Sequence, residues 1–181
     1  MGTFLKKVGV FVLICLMAMS NQTYAQDKKQ TNISYKDLIS SNDGSKADLY
    51  WLTMNIYYEA GKEPLIGKIA VGIVTLNRLK DNRFPKTIQA VVTEPQQFSW
   101  YTGGNVKSPP NVALWKECYD VAKMLLTKSK DTAIISLLEG ATHFHATYVK
   151  PDWARHAVKV VQIGDHVFYR TKHYENRKER I

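Results

Sequence analysis

Cysteine is almost missing from this chain: there are two, Cys15 and Cys118, in 181 residues. Cys15 lies in an N-terminal apolar run that reads as removable, which leaves Cys118 with no partner for an internal disulfide. A disulfide-stapled fold is excluded on that count, and stability must come from a buried core. Cys118 falls in a helical pattern of apolar residues, where a buried inert thiol is a better reading than a nucleophile. Internal repeats and low-complexity tracts are absent too. Acidic residues are in short supply, 16 against 25 Lys and Arg, for a net charge of +9. Such a balance favours polyanionic surroundings, whether nucleic acid, anionic lipid or acidic wall polymers. No basic-aromatic motif of a nucleic-acid binder accompanies it, so nucleic acid is not an expected partner. The spacings of familiar metal sites are also lacking.

Long apolar runs are limited to one, Val8 to Met19, too short for a comfortable membrane span. Lys6 and Lys7 precede it, Ser20 to Tyr24 follow it, and Thr23 and Ala25 put small residues at the −3 and −1 positions of a cleavage site. This is the pattern of a secretory signal peptide, residues 1–25, cut after Ala25. The alternative is an uncleaved anchor, which would be the chain's one tie to a membrane. Cleavage would remove two lysines and no acid, lowering the charge from +9 to +7. Residues 26–45 are polar and read as a flexible leader. Residues 46–170 form the domain proper, and 171–181 a charged tail. With 45% apolar residues the domain can bury a core.

Helical signals dominate its first part. Asp48 is a candidate cap for a helix running to about Ala60, with Leu49, Leu52, Ile56 and Glu59 on one face and Gly61 as its stop. Pro64 opens a second helix with the stripe Leu65, Ile69, Ile73 and Leu76, and Ala70 and Gly72 leave room for a neighbour. Phe84-Pro85 opens a short helix through about Thr93, ended by Pro95. Asn111 is a candidate cap for a long helix to about Lys128. The period then changes. Thr142 to Val149 alternates like a strand, and Val158 to Ile163 and His166 to Tyr169 flank Gly164-Asp165, a hairpin turn signal. The expected fold is α+β, helices first and a small antiparallel sheet after.

Glu59 is the most informative residue. A carboxyl continuing an apolar stripe faces inward, and desolvation raises its pKa toward what a general acid needs. The plainer alternative is a helix-end glutamate paired with Lys62 or Arg78. His143 and His145 alternate with Phe144 and so share one strand face, with His166 and His156 as possible neighbours for a zinc site. Sugar contact is the preferred reading for them, with Trp100, Tyr101 and Trp153 as stacking faces. Ordinary packing is the competing one.

Several blocks occur in order: Tyr57-x-Glu59-Ala60-x-x-Glu63-Pro64, then Gly67-x-x-Ala70-Val71, then Leu76-Asn77-Arg78. Arg83 to Ile88, Gln97-Phe98-Ser99-Trp100, Gly140 to His145 and Ile163 to Tyr169 follow. Together they resemble the SleB-like cell-wall hydrolases, which include the spore-cortex-lytic enzymes. The resemblance runs from about Asp48 to Arg170. It implies a lysozyme- or lytic-transglycosylase-like helical core and makes Glu59 the catalytic acid. It also gives Glu63 a structural or supporting role and makes Gln97 and Ser99 expected substrate contacts, beside Trp100, His143, His145 and Trp153, which are expected to contact sugar on their own chemistry. Asn77, after the stripe of the second helix, is expected to satisfy backbone groups near the groove. Gln97 and Ser99 have a structural alternative, a loop clamp onto the first helix, and Glu63 has one as a first-turn acid. His143 and His145 depart from the spore members, and no separate wall-binding domain is expected, which together point to a non-spore relative.

The implied substrate is peptidoglycan, cut between N-acetylmuramic acid and N-acetylglucosamine. No second carboxylate stands out among Glu63, Glu94 and Asp152, so lytic transglycosylation, which needs a single enzyme carboxyl, is the expected outcome. The expected protein is an exported monomer, periplasmic or extracellular, with no cofactor and no metal. The alternatives are a zinc-dependent amidase and a non-catalytic wall-binding module.

Overall fold

The computed structural model describes residues 44–103, 106, 108–127 and 133–172. The signal peptide, nearly all of the leader and the charged tail from residue 173 lie outside the described residues. Among these residues, no helix is long and apolar enough to cross a membrane.

The first helix, α1 (Gly44–Ala60), starts four residues ahead of Asp48, which lies within it rather than capping it. Leu52 through Tyr57 are all buried. A helix buried on every side is a core element, and α1 packs against the three next helices, α2 (Leu65–Lys80), α3 (Ile88–Val92) and α4 (Val112–Thr127). Its polar core residues are satisfied internally. Asn55 Nδ2 donates to Thr75 Oγ1 (3.0 Å), and Thr75 Oγ1 donates to Val71 O (3.2 Å). The chain leaves α1 at Gly61, where a Cβ would lie 2.5 Å from Tyr57 O. Gly72 plays the same part between helices: a Cβ there would collide with Leu125 of α4 and press on Ile56 of α1.

Helix α3 is shorter than the sequence suggests, because Thr87 rather than Phe84 begins it. The Thr87 side chain accepts from Ala90 N, a cap that satisfies a first-turn donor. Asn111 caps α4 in the same way, its Oδ1 accepting from Leu114 N at 3.0 Å. A short helix that the sequence did not signal, α5 (Ala133–Leu137), follows α4. Cys118 is a buried free thiol, and burial pushes its pKa up to about 12, which leaves it unreactive at neutral pH.

The sheet has three strands, β1 (Ala141–Ala146), β2 (Ala157–Ile163) and β3 (His166–Thr171), in the order β1-β3-β2, all antiparallel. One 3-10 turn, Asp152–His156, precedes β2. Side chains alternate across the sheet. Phe144, His166 and Phe168 cluster on one face, and Phe168 is fully buried. His143, His145 and Tyr169 lie on the other.

Asn77 and Glu63 both help fix the sheet to the helices. Asn77 Nδ2, at the end of α2, donates to Leu138 O (2.7 Å) and Ala141 O (3.0 Å). Glu63, between α1 and α2, accepts from Asp165 N at the tip of the β2–β3 hairpin (3.3 and 3.2 Å to its two oxygens). Gly164 sits at φ +55 beside that carboxylate, and a Cβ there would overlap Glu63 Oε2, so glycine is required on both counts. His166 Nδ1 is 3.3 Å from Glu63 Oε1. Burial holds this imidazole below its usual range against the pull of Glu63 and Asp165. The contact is therefore between a neutral ring and a carboxylate at pH 7.

Candidate functional site

Tyr58 near the end of α1 and Arg78 near the end of α2 both reach the loop after α3, and Arg78 also reaches the first residues of β1. Glu59 stands in the last turn of α1 and is half-buried. Burial raises its carboxyl from an ordinary 4.5 to about 7, and the charge of Arg78 acts in the opposite sense. The negative end of the helix dipole adds to the preference for the neutral form. A carboxyl so poised is about half protonated at neutral pH, the condition for giving and then recovering a proton.

Arg78 is the hub of this end of the molecule, and nothing in its stripe position foretold that. Its Nε donates to Thr142 O (2.9 Å) and its NH1 to Gln97 Oε1 (3.2 Å). The guanidinium carbon lies over the rings of Phe84 and Phe98, 5.1 Å from each centroid, a cation–π arrangement that suits a planar cation. The strand register shifts between Ala141 and His143, so Thr142 sits at a bulge. Bulges free backbone groups from the ladder, and here the carbonyl goes to Arg78. Burial drives the Arg78 pKa down to about 10, against the attraction of Glu94 and then of Glu59. It remains a cation at pH 7.

Beside the acid stands an aromatic wall. Trp100 Nε1 donates to Asn55 Oδ1 at 3.1 Å. Its ring stacks on Tyr58, with centroids 4.9 Å apart and planes at 15°. Tyr101 meets both Trp51 and Trp100 edge-on. Asn55, Tyr58 and Glu59 thus sit together on α1, so the helix that carries the acid also carries the support for Trp100. Gln97 and Ser99 are exposed.

A second group lies on the outer face of the sheet. Trp153, 37% exposed, contacts His143, His145 and Tyr169 at centroid distances of 5.3, 5.7 and 5.3 Å. His145 Nε2 and Tyr169 Oη are 2.9 Å apart, and His145 Nδ1 meets Ala146 O at 2.9 Å. The second contact requires a proton on Nδ1, so in the neutral ring Tyr169 donates to Nε2. Burial, with Arg78 and Arg83 nearby, lowers the His143 pKa to about 4, leaving a neutral ring. Phe84 joins the two groups, since its ring meets both Arg78 and His143.

The residues singled out in the sequence therefore fall in three places. Glu59, Gln97, Ser99 and Trp100 belong to the acid end. His143, His145 and Trp153 belong to the sheet face, while His166 points to the opposite face. Glu63 and Asn77 bind the scaffold. Asn55, Tyr58 and Tyr169 were not among the expected contacts, while Arg78 entered only as a possible ion-pair partner of Glu59 and Glu94 only as a candidate second carboxylate. Among the described residues, no three His, Cys, Asp or Glu side chains are grouped to hold a metal ion.

Known proteins share this arrangement of sequence and fold. A family model described as Cell Wall Hydrolase matches residues 62–169. The spore cortex-lytic enzyme of Bacillus cereus is 29% identical over 136 residues, covering 70% of this chain and 46% of that enzyme. The one of Oceanobacillus iheyensis is 30% identical, covering 68% of this chain and 42% of its own. The chain thus spans less than half the length of these curated relatives. Among solved structures, the catalytic domain of Bacillus cereus SleB superposes with a TM-score of 0.52 at 26% identity, over 79% of this chain and 99% of that one. The catalytic domain of the germination-specific lytic transglycosylase SleB of Bacillus anthracis gives 0.53 at 23% identity, over 72% and 98%. The helical core with its three-stranded sheet is the fold of those catalytic domains.

Proposed function

The chain belongs to the cell wall hydrolase family, and from that premise we propose that it cleaves the glycan strands of peptidoglycan as a lytic transglycosylase with Glu59 as acid and base. The observation that carries this reading is the Glu59 carboxyl, held near pH 7 by burial, at a place where aromatic faces are ready for sugar rings. The lytic transglycosylase named among its structural relatives agrees with that chemistry.

The reaction needs one carboxyl. Protonated Glu59 gives its proton to the oxygen linking N-acetylmuramic acid to N-acetylglucosamine, and the C1–O bond of the muramyl residue breaks. The Glu59 carboxylate then takes the proton of the muramyl 6-hydroxyl as that oxygen closes on C1. The product is a 1,6-anhydro end, the leaving sugar keeps the first proton, and Glu59 ends protonated. Arg78 stabilises the transient carboxylate by charge, since both lie within Coulombic reach. Trp100, His143, His145 and Trp153 contact the sugars, and Gln97 and Ser99 border them. Glu63 and Asn77 keep the framework in register. The protein acts outside the cytoplasm as a monomer, delivered by residues 1–25.

Mass spectrometry of digested sacculi tests the proposal. Anhydro-muramic ends are expected, and none from the Glu59→Gln protein. Reducing muramic ends would mean a hydrolytic muramidase, and free peptide stems an amidase. Undiminished release by Glu59→Gln would remove Glu59 from the chemistry.

A further inference from the structure

A half-buried carboxylate, Glu94, has no part in this mechanism. Glu94 lies just beyond α3, and its Oε2 is shielded from solvent with no hydrogen-bond partner. A carboxylate oxygen in that state is costly unless a charge compensates it. The compensating charge is Arg78, on which Glu94 acts more strongly than Glu59 does.

The loop carrying Glu94 is shaped to hold that cation. Gln97 N donates to Glu94 O at 3.2 Å, closing a turn with Pro95 and Gln96 at its centre. Gln96 adopts φ 65, the one non-glycine residue at positive φ among the described residues. A left-handed glutamine is strained and persists where its surroundings demand it. The turn sets two groups against Arg78, Gln97 Oε1 (3.2 Å) and the Phe98 ring (5.1 Å), and the Glu94 carboxylate at its start acts on Arg78 by charge without a direct bond. The guanidinium of Arg78 donates to Gln97 and Thr142 and not to Glu59.

We propose that Glu94 is a positioning residue for the reaction: together with Gln97 it keeps the Arg78 guanidinium from closing on Glu59 and stripping the acid of its proton. A contact ion pair with arginine favours the carboxylate form strongly, and a deprotonated Glu59 cannot start the cleavage. Held at a distance, Arg78 steadies the carboxylate once it forms without preventing the protonated state. The other charges near α1 do not substitute for it. Lys116, Glu117 and Asp120 lie on α4 and Glu94 on the loop after α3, yet Arg78 is the charge that acts on Glu59. Around Arg78 itself, His143 is neutral at pH 7, and Arg83 is bonded to Asp81 (2.9 Å).

This role presupposes that Glu59 is the acid, but the titration of Glu59 can be read whatever its role. The carboxyl carbon of Glu59 is followed by NMR against pH in the wild type, Glu94→Gln and Gln97→Ala, beside sacculus digestion over the same range. Each substitution releases one hold on Arg78. In both variants the Glu59 midpoint is expected to fall by about one pH unit, a tenfold loss of protonated acid on the alkaline side, and the alkaline limb of digestion moves with it. Gln97 is exposed, so its variant supplies the answer even where Glu94→Gln does not fold. An unmoved midpoint in the folded variants overturns the role of Glu94 alone. A lowered midpoint with an unmoved activity limb overturns Glu59 as the acid, and the part of Glu94 in the reaction with it.

Discussion

Replacing Glu59 by glutamine should stabilise the protein, and only above about pH 4.5, where an unfolded chain would release the proton that the folded one retains. The folded protein holds the Glu59 proton to about pH 7, whereas an unfolded chain releases it near 4.5. Between these values the native state binds more protons than the unfolded one, so wild-type stability falls as pH rises through 4.5 and levels off above 7. A shift of that size corresponds to no more than about 3 kcal/mol. Glu59 is only half-buried, and screening by solvent reduces the figure to about 1–2 kcal/mol. Glutamine has no proton to lose and escapes the penalty. For a domain of this size the gain is about 3–8 °C in melting temperature. Calorimetry of both proteins at pH 4 and pH 8 reads it directly: equal melting at pH 4, and the glutamine protein higher at pH 8. A difference that is the same at both pH values would refute the idea that an imposed proton affinity sets it.

Two further outcomes follow from the packing. Gly164→Ala places a methyl group on Glu63 Oε2 at φ +55, so it must both strain the turn and break the contact to Asp165 N. A loss of about 2–4 kcal/mol in urea unfolding is expected, and a loss under about 1 kcal/mol would mean that the hairpin tip is not docked as described. Trp153→Ala removes an exposed ring from over His143, His145 and Tyr169. Half-saturation for sacculi should rise about 3–10-fold with melting little changed, and unchanged half-saturation would take the sheet face out of substrate binding.

Local signals were the legible ones. Asn111 capping α4 and Gly164-Asp165 turning the hairpin are decided by a few neighbouring residues, and the sequence announces both. Glu59 was picked out as a carboxyl on an apolar stripe, but α1 is buried all round from Leu52 to Tyr57, so periodicity alone was a poor guide to which way it faces. The ordered motifs supplied what periodicity did not. The start of α3 was misplaced because Phe84-Pro85 resembles a helix opening, while the cap belongs to Thr87. The contacts that Arg78, Asn55 and Glu94 make were not legible for a different reason. Each acquires its part from meetings across the chain: Arg78 with Thr142, 64 residues on, and Asn55 with Trp100, 45 residues on. Tyr169 falls under the same heading, since its partner His145 lies 24 residues earlier. No spacing rule within one helix or strand contains those pairs.

The clasp between Glu63 and Asp165 spans 102 residues of chain. It closes directly behind the turn that carries Glu59. A polypeptide made from its N-terminus therefore produces Glu59 and Glu63 early and Asp165, the other half of the clasp, late, and contacts of such long separation form slowly. Until the hairpin has been made, the junction that follows Glu59 lacks its clasp. Timing is thus written into the topology: the junction behind Glu59 is clasped only after the β2–β3 hairpin has been made.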